Sequence, residues 1–249
     1  GGDGLVGDVG APTGQVPLYG GNDVLDGGGE GDKMTGFSGD DIMLGDSGAL
    51  EWLSNGRLSE IAGIDISANN PALWAKYGGV VADNDLTTLD LITTEQPTSG
   101  GRDTIYGDEG DDLVFGGTDA DTIHGDDGDE AAETASANRD VLFGDHGRLY
   151  PQFSTLANFN SRNFFAIDTG DSSGGEGDRM WGEEGDDVML GQQGDDRMWG
   201  GSDSDDMIGG HNVSGGVDEL SLPAIRAKTS PAMAQINDLM DGGSGNDAM

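Results

Sequence analysis

The sequence predicts an all-β parallel solenoid, a coil of short strands and glycine turns broken by apolar segments. Three observations predict it. In Gly174–Met207 an Asp returns every nine residues, at Asp178, Asp187, Asp196 and Asp205. A Met follows each by two, at Met180, Met189, Met198 and Met207. Glycines fill the stretch between, as tight corners and close backbone approach require. A fixed short period is the signature of stacked repeats that bury a continuous thin core.

Composition alone points elsewhere. Asp and Glu number 48 against 11 Lys and Arg, for a net charge of −37, and Gly accounts for 47 of 249 residues. Low apolarity with high net charge reads as disorder, because too little surface is buried to offset chain entropy. The nine-residue clock overrides that reading, since disorder has no reason to keep Asp and Met in step. The charge argues against nucleic acid, whose phosphates need Lys and Arg, and equally against anionic membrane surfaces. Packed carboxylates repel one another, so cations are the expected partners. The absence of Cys excludes disulfides and thiolate metal sites. No apolar run approaches the length of a membrane-spanning helix, and no signal peptide is visible at residue 1. The chain starts and stops inside the repeat pattern, which predicts a piece of something longer.

The first coil segment is expected over residues 1–48. Asp23, Asp32 and Asp41 are nine apart, and Leu25, Met34 and Met43 follow each by two. Residues 49–99 form an apolar excursion with Trp52, Leu53, Ile61, Ile64, Leu73 and Trp74. Pro71 rules out one long helix. A short helix is expected near Pro71–Tyr77 and a strand over Leu86–Thr94, which is rich in β-branched residues. The excursion is expected to pack beside the coil and supply core that the coil lacks.

The second segment is expected over residues 100–148, with Asp103, Asp112 and Asp121 followed by Ile105, Val114 and Ile123. Glu130 falls on the next beat. After an insertion, Asp140 with Leu142 resumes the pattern. Asp41–Leu50 (DIMLGDSGAL) and Asp140–Leu149 (DVLFGDHGRL) close the two segments with the same Gly-Asp-x-Gly exit. A second apolar excursion covers residues 149–173. The third segment covers 174–249, with a short excursion at 222–237 and a short helix expected around Pro231–Ile236. Asp218, Asp238 and Asp247 are isolated beats of the same pattern.

The strongest consensus is Gly-Gly-x-Gly-x-Asp-x-U-x, where U is a large apolar residue, a form associated with calcium-binding parallel β-helices. The Asp supplies a hard oxygen ligand and corner carbonyls supply others. Ca²⁺ takes six to eight oxygens in a flexible cage, whereas Mg²⁺ wants a strict octahedron and keeps its waters. No His or Cys sits on the beat, which disfavours zinc and copper. If two nonapeptides make one coil, positions 18 apart stack, and a cation between stacked corners bridges their Asp residues. Each inward U residue contributes roughly 1.5–3 kcal/mol. That is small beside the repulsion without metal, so folding is expected to be coupled to Ca²⁺.

These nonapeptides resemble RTX, the haemolysin-type calcium-binding repeats, over about half the chain. The resemblance implies a right-handed parallel β-roll, several Ca²⁺ ions in the turns and export by type I secretion machinery. It further implies a bacterial secreted or cell-surface location and folding outside the cell. The ligands it implies are Asp23, Asp32, Asp41, Asp103, Asp112, Asp121, Asp140, Asp178, Asp187, Asp196, Asp205, Asp218, Asp238 and Asp247. Glu30, Asp119, Glu176 and Asp203 stand at the fourth, glycine position, which predicts weaker binding at those corners.

Residues off the beat are read as ordinary. Asp46, Asp108 and Asp145 are expected to be solvated corners, and His124 to be exposed. Met180, Trp181, Met198 and Trp199 are expected to serve core and lateral packing. The zinc-protease HExxH, the GxSxG nucleophile elbow, the P-loop and the EF-hand loop are all missing, so the chain is not expected to be an enzyme. The expected role is a calcium-binding module of a larger secreted or surface protein. The alternatives are an adhesion module whose excursions contact a partner, and a secretion-and-stability domain attached to a catalytic domain outside this chain.

Overall fold

A computed structural model describes residues 4–6, 21–52, 87–96, 98–126, 138–151, 155–169, 174–210 and 239–243. The helices expected at Pro71–Tyr77 and Pro231–Ile236 lie outside these residues, as do Glu130, Asp218, Asp238 and Asp247. Among the described residues the fold is strands and turns with a single 3₁₀ turn, Leu156–Asn158.

The nonapeptides alternate between two parallel sheets. One face carries seven strands in the order β1 (Gly4–Val6), β3 (Lys33–Ser38), β7 (Thr104–Glu109), β9 (Thr122–His124), β13 (Arg179–Glu183), β15 (Arg197–Gly201) and β17 (Leu239–Asp241). The opposite face carries six, in the order β2 (Val24–Asp26), β4 (Ile42–Leu44), β8 (Leu113–Phe115), β10 (Val141–Phe143), β14 (Val188–Leu190) and β16 (Asp206–Ile208). Successive side chains of a strand point to opposite faces, so the central residue of each triplet turns inward. Leu25, Met34, Met43, Ile105, Val114, Ile123, Leu142, Met180, Met189, Met198 and Met207 form one buried cluster between the sheets. This is the U stripe.

The three segments make one coil. Strand β3 of the first pairs in register with β7 of the second, Met34 opposite Ile105, and β9 of the second pairs with β13 of the third, Ile123 opposite Met180. On the other face β4 meets β8, and β10 joins β8 to β14. The excursions are looped out of a solenoid that closes up behind them.

They return as a third layer. β5 (Gly48–Glu51), β6 (Leu91–Thr94), β11 (Arg148–Pro151) and β12 (Phe164–Asp168) form an antiparallel sheet in the order β12-β11-β6-β5. The expected strand over Leu86–Thr94 is thus shorter, with a turn before it. The layer packs on the outside of the six-stranded sheet, whose four central triplets are apolar throughout: Ile42, Leu44, Leu113, Phe115, Val141, Phe143, Val188 and Leu190 cluster with Leu89, Ile92, Leu149, Phe159, Phe164 and Ile167. Strands buried on both faces read as continuous apolar runs, which explains these triplets. The Phe115 and Phe143 rings stack with centroids 4.3 Å apart. The loop of the second excursion also straps the coil: Asn22 donates to the Phe159 carbonyl at 3.0 Å, Ser161 Oγ donates to the Arg139 carbonyl at 2.8 Å, and Arg162 bonds the Asp186 carbonyl.

The seven-stranded sheet bears a different outer face. Tyr106, His124, Trp181 and Trp199 stack in a ladder with centroids 4.6–4.8 Å apart. His124 is therefore half-buried, with Nδ1 2.9 Å from Glu183 Oε1, rather than exposed. The in-register parallel strands bring its ring between Tyr106 and Trp181. Met180 and Met198 lie in the core and the two tryptophans pack laterally.

Candidate metal centres

Each corner is built from the second to the sixth residue of a nonapeptide. At the corners that no insertion splits, the chain turns because two of these residues adopt left-handed backbone. At Gln192 and Gly194 φ is 74° and 108°, and at Gly117 and Asp119 it is 109° and 70°. One glycine per pair suffices, and it stands at either position. Glu30, Asp119 and Asp203 take φ of 73°, 70° and 67° in the fourth position, each behind a glycine in the second. Their corners keep the shape of the others.

The sixth-position Asp residues stack in two rows. In the first, the amides of Asp23, Asp41, Asp112, Asp140 and Asp187 donate to Oδ1 of Asp41, Asp112, Asp140, Asp187 and Asp205 respectively, at 2.7–3.1 Å. In the second, the amides of Asp32, Asp103, Asp121 and Asp178 donate to Oδ1 of Asp103, Asp121, Asp178 and Asp196, at 2.7–2.9 Å. Four of these bonds span 18 residues, as expected of two nonapeptides per coil; the others span 28, 47, 57 or 71, because an excursion intervenes.

One carboxylate oxygen of every Asp after the first in each row is thus committed to the neighbouring amide. The other is not. Oδ2 of Asp41, Asp103, Asp112, Asp121, Asp140, Asp178 and Asp187 is buried and accepts no hydrogen bond among the described residues. These side chains are 0–2 % exposed. Burying an ionised carboxylate without a counter-charge costs several kcal/mol. Burial accordingly pushes Asp41 and Asp103 up to about 7 and Asp121 to about 10. It also raises Asp112, Asp140, Asp178 and Asp187, with repulsion from neighbouring carboxylates adding to each.

The free oxygens share one environment. In most of the nonapeptides the first residue is Gly, and a β-carbon there would land on Oδ2 and on the carbonyl of the stacked glycine. This holds for Gly36 against Asp41 and Gly107, for Gly107 against Asp112 and Gly125, and for Gly182 against Asp187 and Gly200. A lone carboxylate oxygen beside main-chain carbonyls is an all-oxygen donor set, which suits Ca²⁺. Among the described residues no three His, Asp or Glu side chains gather as a metal site.

Asp46 and Asp145 depart from the sequence reading, and Asp126, which that reading does not single out, is placed as they are. Asp46 and Asp145 are 0 % exposed rather than solvated. Each of the three is the second residue of a nonapeptide that an insertion splits. The Gly-Asp pair precedes the insertion, and the rest of the turn returns with Asp103, Asp140 or Asp178. The carboxylate closes the gap. Asp46 accepts the amides of Gly101 and Thr118, Asp126 that of Glu184, and Asp145 that of Gln193. The matching Gly-Asp exits carried this signal in the sequence. Burial pushes Asp46 up to about 6. His146 is buried too, its Nε2 3.2 Å from Thr118 Oγ1.

Two parallel sheets joined by glycine corners, with a stacked carboxylate at every corner, define a metal-binding β-roll. A family model for the RTX calcium-binding nonapeptide repeat matches the chain in four copies, over residues 19–49, 98–129, 172–210 and 237–249. In these segments the chain is built of RTX repeats, and it binds several calcium ions. Residues 138–151 lie outside the matched segments, yet β10 and Asp140 hold full places in the sheet and the row. No curated protein and no solved structure matches the chain.

Proposed function

We propose that this β-roll is a structural module of a larger secreted or surface protein, which stays unfolded where calcium is scarce and folds on meeting it outside the cell. The observation that carries this reading is the pair of carboxylate rows, buried with one oxygen of most members lacking a hydrogen bond. Metal-free, the rows oppose folding; with a divalent ion at each corner they become the contacts that hold adjacent turns. Asp23, Asp41, Asp112, Asp140, Asp187 and Asp205 would serve one row of ions, and Asp32, Asp103, Asp121, Asp178 and Asp196 the other. Asp218, Asp238 and Asp247 are proposed from the sequence pattern alone. Type I export fits such a chain, because a coil that folds only on calcium stays threadable until it leaves the cytosol.

Most described apolar residues of the excursions pack against the coil, Trp52 and Leu156 being exposed, which favours a brace over an adhesive role for them. No helix among the described residues is long and apolar enough to cross a membrane. Far-UV circular dichroism of chelator-treated protein tests the reading. The spectrum should change from coil to β as calcium is added. A β spectrum that persists in excess chelator at neutral pH would refute it.

A further inference from the structure

We propose that Asp145, a residue off the nine-residue beat, joins Asp178 as a ligand of one calcium ion at the turn split by the second excursion. The inference rests on the calcium reading above and adds a ligand position that the repeat pattern does not contain.

The geometry comes from how that turn is closed. Gly144 and Asp145 leave the coil, and Gly175–Asp178 return to complete the same nonapeptide. Asp178 Oδ2 lies against Gly144, where a β-carbon would land on it. Asp145 is the next residue along. Its Oδ2 accepts the Gln193 amide at 2.7 Å, and the Glu176 amide also faces the carboxylate. Its Oδ1 lies against Gly175 and, like Asp178 Oδ2, makes no hydrogen bond of standard geometry. The two side chains are 0 % and 1 % exposed. Asp145 stands first among the carboxylates that repel Asp178, with Asp196 next, and Asp196 and Asp121 repel Asp145. Two buried carboxylates, each with an unsatisfied oxygen, meet at one glycine corner.

A solvated corner would place neither group there. A clamp alone would leave no oxygen over, and Asp46 illustrates that case: its two oxygens are taken by Gly101 and Thr118. At Asp145 the Gln193 amide takes Oδ2, and Oδ1, with the Glu176 amide facing the carboxylate, makes no hydrogen bond of standard geometry. A divalent cation with a preference for oxygen balances the pair, and the added charge gives this corner a tighter grip than a corner with fewer carboxylates.

The experiment counts calcium bound to the full chain by equilibrium dialysis, using calcium alone, with circular dichroism to verify folding. Asp145→Asn keeps an acceptor for Gln193, and it should bind one ion fewer, or one ion at least 10-fold more weakly. Asp178→Asn and the double variant should each lose that same single ion, because the two carboxylates share it. Asp46→Asn should keep the wild-type count. Loss of two ions in the double variant, or an unaltered count and affinity in Asp145→Asn, overturns the proposal; the latter would mean that a shared proton balances the pair. If Asp145→Asn does not fold in saturating calcium, Asp145→Glu replaces it, and unchanged affinity there overturns the proposal equally. Asp187→Asn separates the two readings. If it loses an ion while Asp145→Asn does not, only this inference falls. If neither loses one, the calcium reading falls with it.

Discussion

Gly182 and Asp187 show how closely a corner is fitted. A β-carbon on Gly182 would strike both Asp187 Oδ2 and the Gly200 carbonyl, and the carbonyl belongs to a sheet that cannot give way. Gly28 is a useful contrast, with φ of 88° and open space around its Cα. Gly28→Ala should cost about 1–2 kcal/mol through left-handed backbone strain alone and leave the calcium count unchanged. Gly182→Ala should lose an ion or bind it at least 10-fold more weakly, as read by calcium titration. Acidity acts on the same oxygens. Asp41 and Asp103 stand near 7 when folded without metal, against an ordinary value of 3.8. The folded metal-free chain therefore holds more protons than the unfolded one between these limits, and its stability falls as pH rises through that window. Acidifying the chelated protein from pH 8 towards 5 should restore β structure, and calcium affinity should weaken over the same range because protons compete for the ligands. Affinity that is flat from pH 8 to 5 would contradict the assignment of these carboxylates.

Among the elements, the two parallel sheets are unequal partners. The four central strands of the six-stranded sheet are buried on both faces, so they depend on the antiparallel layer built from the excursions. Phe143→Ala removes a stacked, fully buried ring and should cost about 3–5 kcal/mol in denaturant unfolding at saturating calcium, with the ion count unchanged. Trp199→Ala, on the half-buried ladder of the other face, should cost less, since a stacked aromatic pair adds about 0.5–1.5 kcal/mol beyond its buried area. The inward stripe was legible in the sequence because Leu25, Met34 and Ile105 keep a fixed place in the nonapeptide. The outward burial was legible in principle. Leu113-Val114-Phe115 and Val141-Leu142-Phe143 are apolar at every position, whereas Arg179-Met180-Trp181 and Arg197-Met198-Trp199 each begin with a charge. The exposed His124 and the solvated Asp46 and Asp145 were misread for one reason: each is placed by a neighbour remote in sequence. Trp181 stacks on His124 across 57 residues, and Gln193 bonds Asp145 across 48.

At the scale of the molecule, the arrays that the sequence divides are one coil. Periodicity shows that each array is a solenoid but says nothing of how arrays join, because it does not fix the register in which an excursion returns. The join is made by the split turns, where Asp46, Asp126 and Asp145 hold departing and stacked chain together, and by sheet pairing such as Met34 with Ile105 and Ile123 with Met180. A continuous core and continuous carboxylate rows predict that calcium binding and folding are a property of the whole roll. Hydrogen exchange of the full chain, followed by mass spectrometry across a calcium titration, tests this most directly. The amides of Asp41, Asp112, Asp121, Asp140 and Asp178, drawn from all three arrays, should be unprotected in chelator at neutral pH and gain protection together over one calcium range. Protection of these amides without calcium, or its appearance in one array while the others stay open, would contradict the account.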